Sequence, residues 1–209
     1  VGSASGAAGA WCLRTGRRLR AYEGHVKAVT CLCIDDRERL FTGSYDFDIR
    51  CWAGGRGGGC LQTLRGHSGS VTALAALRGG RLFSASSDGT LREWRTASGL
   101  CWRVFPGQHP PMTWPVALSV SEEAQLLASG ARGPHGEADV RLWDLQGQQQ
   151  CLGTAAQLPR ARGGAVQALQ FAPGAAQTLL LLSGASDGSV AAWRLVLGCR
   201  GAGRGARGG

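Results

Sequence analysis

An all-β fold made of repeated units is what this sequence predicts, and three observations predict it. First, the stretch from Gly66-His67 to Trp94 recurs: His67 stands four residues before Val71 and 27 before Trp94, while Ser84 stands four before Asp88 and ten before Trp94. His25, Val29, Thr42, Asp46 and Trp52 repeat those spacings without a gap. Second, Trp11, Trp52, Trp94, Trp143 and Trp193 fall 41, 42, 49 and 50 residues apart, and periods of about 20 to 50 residues mark solenoids, propellers or arrays. Third, each unit breaks into short apolar runs parted by Gly, Ser and Asp turns, with no sustained helical period. Four short strands in roughly 40 residues make a propeller blade. The predicted fold class is an all-β propeller of four-stranded antiparallel blades, three complete and two partial in this chain.

Taken in order, residues 1–22 finish one blade, with Ala10-Trp11 ending its third strand and Arg18 to Tyr22 forming its outer strand. VGSASGAAGAW aligns with TGSYDFDIRCW, so Ser5 stands where Asp46 stands in the next unit, and this blade has lost its turn carboxylate. A chain that starts inside a strand is expected to be a piece of a longer protein, and the missing leader then says nothing about the parent. Residues 24–65 form a complete blade; Ile49 and Cys51 face one side of its third strand, Arg50 and Trp52 the other, and Gly54 to Gly59 is a loop. Residues 66–105 form the next, with strands over Val71–Leu77, Arg81–Ala85, Thr90–Arg95 and Cys101–Phe105, and turns at Arg78-Gly79-Gly80 and Ser87-Asp88-Gly89.

The blade over residues 107–156 departs from the template. His109 precedes Val116 by seven residues rather than four, and Ser129 precedes Trp143 by fourteen rather than ten. The added residues fall in PPMTWP and ARGPHGEAD, two loops that open on one face of a propeller, and loops that grow on a rigid scaffold are where binding concentrates. Residues 165–197 supply three strands of a last blade, where Ser183, Asp187 and Trp193 keep the spacings of four and ten but no His precedes them. Residues 198–209, the Gly/Arg/Ala tail, are expected to be disordered.

Composition narrows the classes. With 209 residues, 44% of them hydrophobic, the chain can bury a core, and it has no apolar run long enough to span a membrane. Of eight cysteines, Cys60, Cys101 and Cys151 follow their tryptophans by 8, 7 and 8 residues and so mark one repeat position, while Cys31, Cys33 and Cys51 fall within strands. With no Cys-x-x-Cys, the expectation is free thiols in a reducing cytoplasm or nucleus, no metal site and no cofactor. The net charge of +9 comes almost wholly from Arg, Lys27 being the single lysine, and is a weak pointer to acidic partners.

The Gly-His dipeptide, the Asp-bearing turn and the strand ending in Trp resemble the WD-repeat family over residues 1 to about 195, although Trp-Asp itself occurs once, at Trp143-Asp144. The resemblance implies that His25, Thr42, Asp46 and Trp52, and likewise His67, Ser84, Asp88 and Trp94, are structural tetrads. A triad reading of the same His, Ser and Asp fails because the constellation recurs and lacks a nucleophile elbow, so the chain is expected not to be an enzyme. The family implies an intracellular, non-catalytic scaffold or adaptor that binds a protein or peptide on the face made by the loops before the first strand and between the second and third. A ubiquitin-ligase or signalling complex is the kind of assembly it implies. Those loops offer Lys27, Tyr45, Phe47, Ser68, Ser87, Trp114, Arg132, His135, Arg160 and Arg162, and aromatic and Arg side chains are the types that anchor interfaces. Two alternatives are an RNA-associated protein using the basic surface and tail, and an architectural part of a larger propeller. The tail lacks interleaved aromatics and has one Arg-Gly-Gly, so nucleic acid is disfavoured.

Overall fold

The computed structural model describes residues 2–54, 58–105, 114–132, 138–146, 151–154, 165–174 and 178–196. Their strands make five antiparallel sheets in chain order, of two, four, four, four and three strands. The first sheet pairs β1 (Ala7–Trp11) with β2 (Arg18–Glu23). The second is β3 (Val29–Ile34), β4 (Leu40–Ser44), β5 (Ile49–Trp52) and β6 (Cys60–Leu64). The third is β7 (Val71–Leu77), β8 (Arg81–Ser86), β9 (Leu91–Arg95) and β10 (Leu100–Phe105). The fourth is β11 (Trp114–Ser121), β12 (Leu126–Arg132), β13 (Ala138–Asp144) and β14 (Cys151–Thr154), and the last is β15 (Val166–Pro173), β16 (Thr178–Ala185) and β17 (Val190–Val196). Each sheet is a meander, as short strands joined by tight turns require. The all-β propeller expected from the repeats is what the chain forms.

Because the strands alternate sides, each blade has two apolar faces, and four clusters fill the gaps between successive blades. Each deep Trp packs against the blade before it. Trp52 lies with Ala8 and Tyr22, Trp94 with Phe41, Ile49 and Leu64, Trp143 with Phe83, Leu91 and Phe105, and Trp193 with Ala128 and Val140. Tyr22, Leu64 and Phe105 hold one repeat position at the end of the outer strand, and the Tyr22–Trp52 and Phe105–Trp143 rings are 5.7 and 5.5 Å apart, within the range where aromatic pairs attract. Trp11 behaves differently. Although it heads the tryptophan ladder, its side chain is 42% exposed, its indole folded over Gly9, where a Cβ would fall 2.3 Å from the ring. Among the described residues no sheet precedes its own, whereas the other four tryptophans each pack against the preceding one.

The innermost strands β3, β7, β11 and β15 stand side by side, each bulged near its start, at Thr30, Thr72, Val116 and Gln167. The Thr30 and Thr72 hydroxyls use the bulge to donate to the carbonyls of Val71 and Pro115 on the next blade. Behind the bulges, Gly43 and Gly130 let Val71 and Val166 approach so closely that a Cβ would lie 2.5 Å from a valine methyl in both cases. Gly43→Ala and Gly130→Ala are expected to cost about 1–3 kcal/mol each by overpacking, read as a lowered urea midpoint.

At the opposite ends of the blades, Asp35 accepts the backbone N–H groups of Arg37 and Arg39 at 3.0 and 2.8 Å and both prongs of the Arg39 guanidinium at 2.9 and 2.6 Å. The same guanidinium donates to Thr96 Oγ1 at 2.7 Å, tying the second blade to the third. Glu93, fully buried in β9, accepts from Arg81 Nε at 2.7 Å and has Arg103 Nε 3.9 Å away.

Candidate functional site: the loop face of the blades

The two complete tetrads are present with full hydrogen bonding. In the third blade Trp94 Nε1 donates to Ser84 Oγ at 2.8 Å, Ser84 Oγ meets His67 Nε2 at 2.7 Å, and His67 Nδ1 meets Asp88 Oδ2 at 2.8 Å. In the second blade the corresponding distances are 2.8 Å from Trp52 Nε1 to Thr42 Oγ1, 2.8 Å from Thr42 to His25 Nε2 and 2.9 Å from His25 Nδ1 to Asp46 Oδ2. An indole N–H can only donate, which fixes the direction of the chain: indole to hydroxyl, hydroxyl to Nε2, Nδ1–H to carboxylate. Each carboxylate also caps its own turn. Asp46 accepts from the N–H groups of Val26 and Asp48, and Asp88 from those of Ser68 and Thr90. The network therefore clamps the loop entering the first strand onto the turn between the second and third. In the fourth blade the indole-to-hydroxyl bond survives, Trp143 Nε1 to Ser129 Oγ at 2.8 Å, without a described histidine.

The order Ser84, His67, Asp88 is that of a hydrolytic triad, and the distances would suit one. Access rules it out here: Ser84 is fully buried and its oxygen already receives the indole N–H. A nucleophile must reach a substrate, so this constellation is structural. The thiols of Cys31 and Cys51 are held protonated by burial, pushed up to about 12 and about 11, and offer no alternative nucleophile.

Burial works against ionisation of Asp46 and Asp88. The hydrogen bonds from His25 and His67, and from the turn N–H groups, outweigh it and hold both carboxyls below the ordinary range. A group whose folded pKa is depressed contributes stability in full above its unfolded value, about 4 for Asp, and loses it as pH falls through the folded value. Urea midpoints are thus expected to hold from neutral pH to about 5 and to decline below about 4. Asp88→Asn lowers the neutral-pH midpoint and flattens the acid decline.

Gly24 and Gly66 have a steric role. A Cβ on Gly24 would lie 2.8 Å from Arg50 Nη1 and 3.2 Å from the Trp52 ring, and one on Gly66 2.8 Å from Arg92 Nη1 and 3.3 Å from the Trp94 ring. The glycine of the Gly-His dipeptide is the space into which an Arg and the tetrad indole fit.

On top of this clamped scaffold the side chains differ from blade to blade. The second blade carries exposed Val26 (83%), Tyr45 (53%) and Phe47 (39%), with the Lys27 ammonium 5.4 Å from the Phe47 ring centre. Phe47 has φ +76°, in the left-handed region, at the turn position that Gly89 (+82°) and Gly188 (+83°) occupy in the third and fifth blades. An aromatic residue there is strained by about 1–3 kcal/mol, and such outliers gather at functional sites. The sequence picks Phe47 as an anchor type but not as a strained one. The signal was readable as Tyr45-Asp46-Phe47 against Ser87-Asp88-Gly89. Trp114, 40% exposed, pairs with exposed Arg132 across the β11–β12 ladder at the same end of the fourth blade. Lys27, Tyr45, Phe47, Trp114 and Arg132 thus share one face. His135, Arg160, Arg162, most of the two lengthened loops and the tail lie outside the described residues.

Blades that meander from the axis outward, stacked around a row of bulged inner strands, the second to fourth each pinned by an indole-to-hydroxyl bond, define a β-propeller. Residues 16–53 and 58–95 match the family model for the WD domain, G-beta repeat, so these two stretches are WD repeats and the chain carries them on a propeller-type fold. Among solved structures, the computationally designed Ika8 protein superposes with a TM-score of 0.71 at 28% identity, over 93% of this chain and 54% of that one. U3-55K superposes with a TM-score of 0.75 at 22% identity, over 92% of this chain and 57% of that one, a likeness of fold. The chain therefore spans little more than half the length of these chains. The search of curated proteins found no match. WD repeats in general form non-catalytic scaffolds for protein interaction.

Proposed function

We propose that this chain is part of a scaffold or adaptor that holds a protein or peptide partner on the loop face of its second to fourth blades. The observation that carries the reading is the strained, exposed Phe47 beside Tyr45 and Lys27. The tetrad would hold the turn equally well with Gly at position 47, as it does in the third blade. A costly aromatic that the fold does not need is best accounted for by a partner that does. The partner is expected to be acidic, in keeping with Lys27, Arg132 and the net charge of +9. Assembly within a ubiquitin-ligase or signalling complex, in the cytoplasm or nucleus, fits such a role.

A rival surface is the outer edge of the third blade, where Leu100, Trp102 and Val104 are exposed along β10 and Arg95 stacks on Trp102 at 5.0 Å. Quantitative affinity purification separates the two. Tyr45→Ala with Trp114→Ala is expected to deplete the specific partners at least about tenfold, and Trp102→Ala to leave them. The reverse pattern moves the site to the outer edge.

A further inference from the structure

Resting on the loop-face reading, we infer that the partner segment is an extended acidic peptide lying in a groove over the third blade, walled by the second and fourth. The second and third blades share one backbone template here: Val26 N–H and Ser68 N–H both donate to the tetrad carboxylate, at 3.0 Å in each case. On that common template the second blade projects Tyr45, Phe47 and Lys27, whereas the third has Ser87, Gly89 and Gly69 at the equivalent positions. The fourth blade rises again with Trp114 and Arg132. The difference in side-chain size makes a low strip between two aromatic walls.

The floor of the strip is rigid and flush. Ser70 N–H donates to Ser87 Oγ at 2.8 Å and Ser87 N–H to the Ser70 carbonyl at 2.9 Å. At Gly69 a Cβ would lie 2.6 Å from both Asp88 N and Ser87 Oγ, so the entering loop lies directly on the turn and no side chain fits between them. Ser68, by contrast, is exposed, and its backbone N–H is held by Asp88.

Charge selects the occupant. Each wall carries a cation, Lys27 on one side and Arg132 on the other. The described carboxylates at this end of the second to fourth blades are all engaged: Asp46 and Asp88 by their histidines, Asp48 by Arg65 at 3.4 Å and Asp139 by Arg141 at 2.7 Å. Glu23 is exposed, but at the end of β2 in the first blade. A strip with cationic aromatic walls, its own carboxylates already hydrogen-bonded, favours a chain bearing carboxylates and an apolar side chain to lodge against Phe47 or Trp114.

The test is fluorescence polarisation with the full chain and three nine-residue probes: Asp and Glu around a central Phe, the same peptide with Lys for every acid, and the acidic peptide with Ala for Phe. The acidic Phe probe is expected to bind, more weakly at high salt, and the other two at least about tenfold more weakly. Ser68→Tyr fills the strip, Ser68→Asp adds a charge without bulk, and both are expected to reduce binding at least about tenfold with an unchanged thermal midpoint. If the acidic probe does not bind, or the Lys probe binds as well, the assigned occupant is wrong. If both Ser68 variants bind normally while Tyr45→Ala does not, the groove is overturned and the loop-face reading stands. If Tyr45→Ala and Trp114→Ala also bind normally while Trp102→Ala fails, both readings fall.

Discussion

Trp94→Ala is expected to lower the stability of the chain by about 3–5 kcal/mol, the cost of emptying a fully buried aromatic site. Two losses combine. The indole leaves a cavity against Phe41, Ile49 and Leu64 of the second blade, and Ser84 Oγ loses the donor that sets the direction of the tetrad. Trp94→Phe separates them, since it refills much of the volume but removes the N–H; its cost is expected near 1–2 kcal/mol. Trp11→Ala is the internal control. It has the same residue type and the same place in the repeat, but with its side chain 42% exposed and, among the described residues, no neighbouring blade packed on it, the expected loss is under about 1 kcal/mol. Chemical unfolding of the three variants checks the ordering, and equal losses at Trp11 and Trp94 would contradict the burial argument.

Phe47→Gly is expected to move stability and binding in opposite directions. Releasing an aromatic residue from φ +76° recovers about 1–3 kcal/mol of strain, while the extra freedom of glycine in the unfolded chain takes back about 0.4–1 kcal/mol. The strain is the larger, so the net gain is about 1 kcal/mol, a rise of roughly 2–4 °C in thermal midpoint for a chain of this size. The same substitution removes the ring on which Lys27 rests and is expected to weaken partner binding about tenfold. A loss of both stability and binding would mean that Phe47 serves the fold, and the functional reading of its strain would fall.

The blades and tetrads were legible because they recur. A polar residue type at fixed spacing in successive units signals a shared hydrogen-bond network, and His67, Ser84, Asp88 and Trp94 make it at 2.7–2.8 Å as their spacing implied. Properties of a single copy were harder to read. Trp11 and Trp94 look alike in the repeat, and their exposure differs because burial depends on whether a neighbouring blade covers the ring. Nothing in the repeat spacing marks Glu93 or Arg81, yet Glu93 is buried and bonded to Arg81 from the adjacent strand, a pairing that the β8–β9 register brings about. Of the anchor residues, Tyr45, Phe47 and Trp114 stand out in the sequence by type and loop position alone. The backbone strain at Phe47 and the flat Ser-Gly floor beside it emerge when blades are compared position by position.

The most direct test of the loop-face account is site-specific photo-crosslinking of the full chain to its partner. A photoreactive phenylalanine analogue is placed at Tyr45 in one sample and at Trp102 on the outer edge of the third blade in another. The account predicts partner adducts from position 45 and none above background from position 102. Adducts from position 102 alone would contradict it.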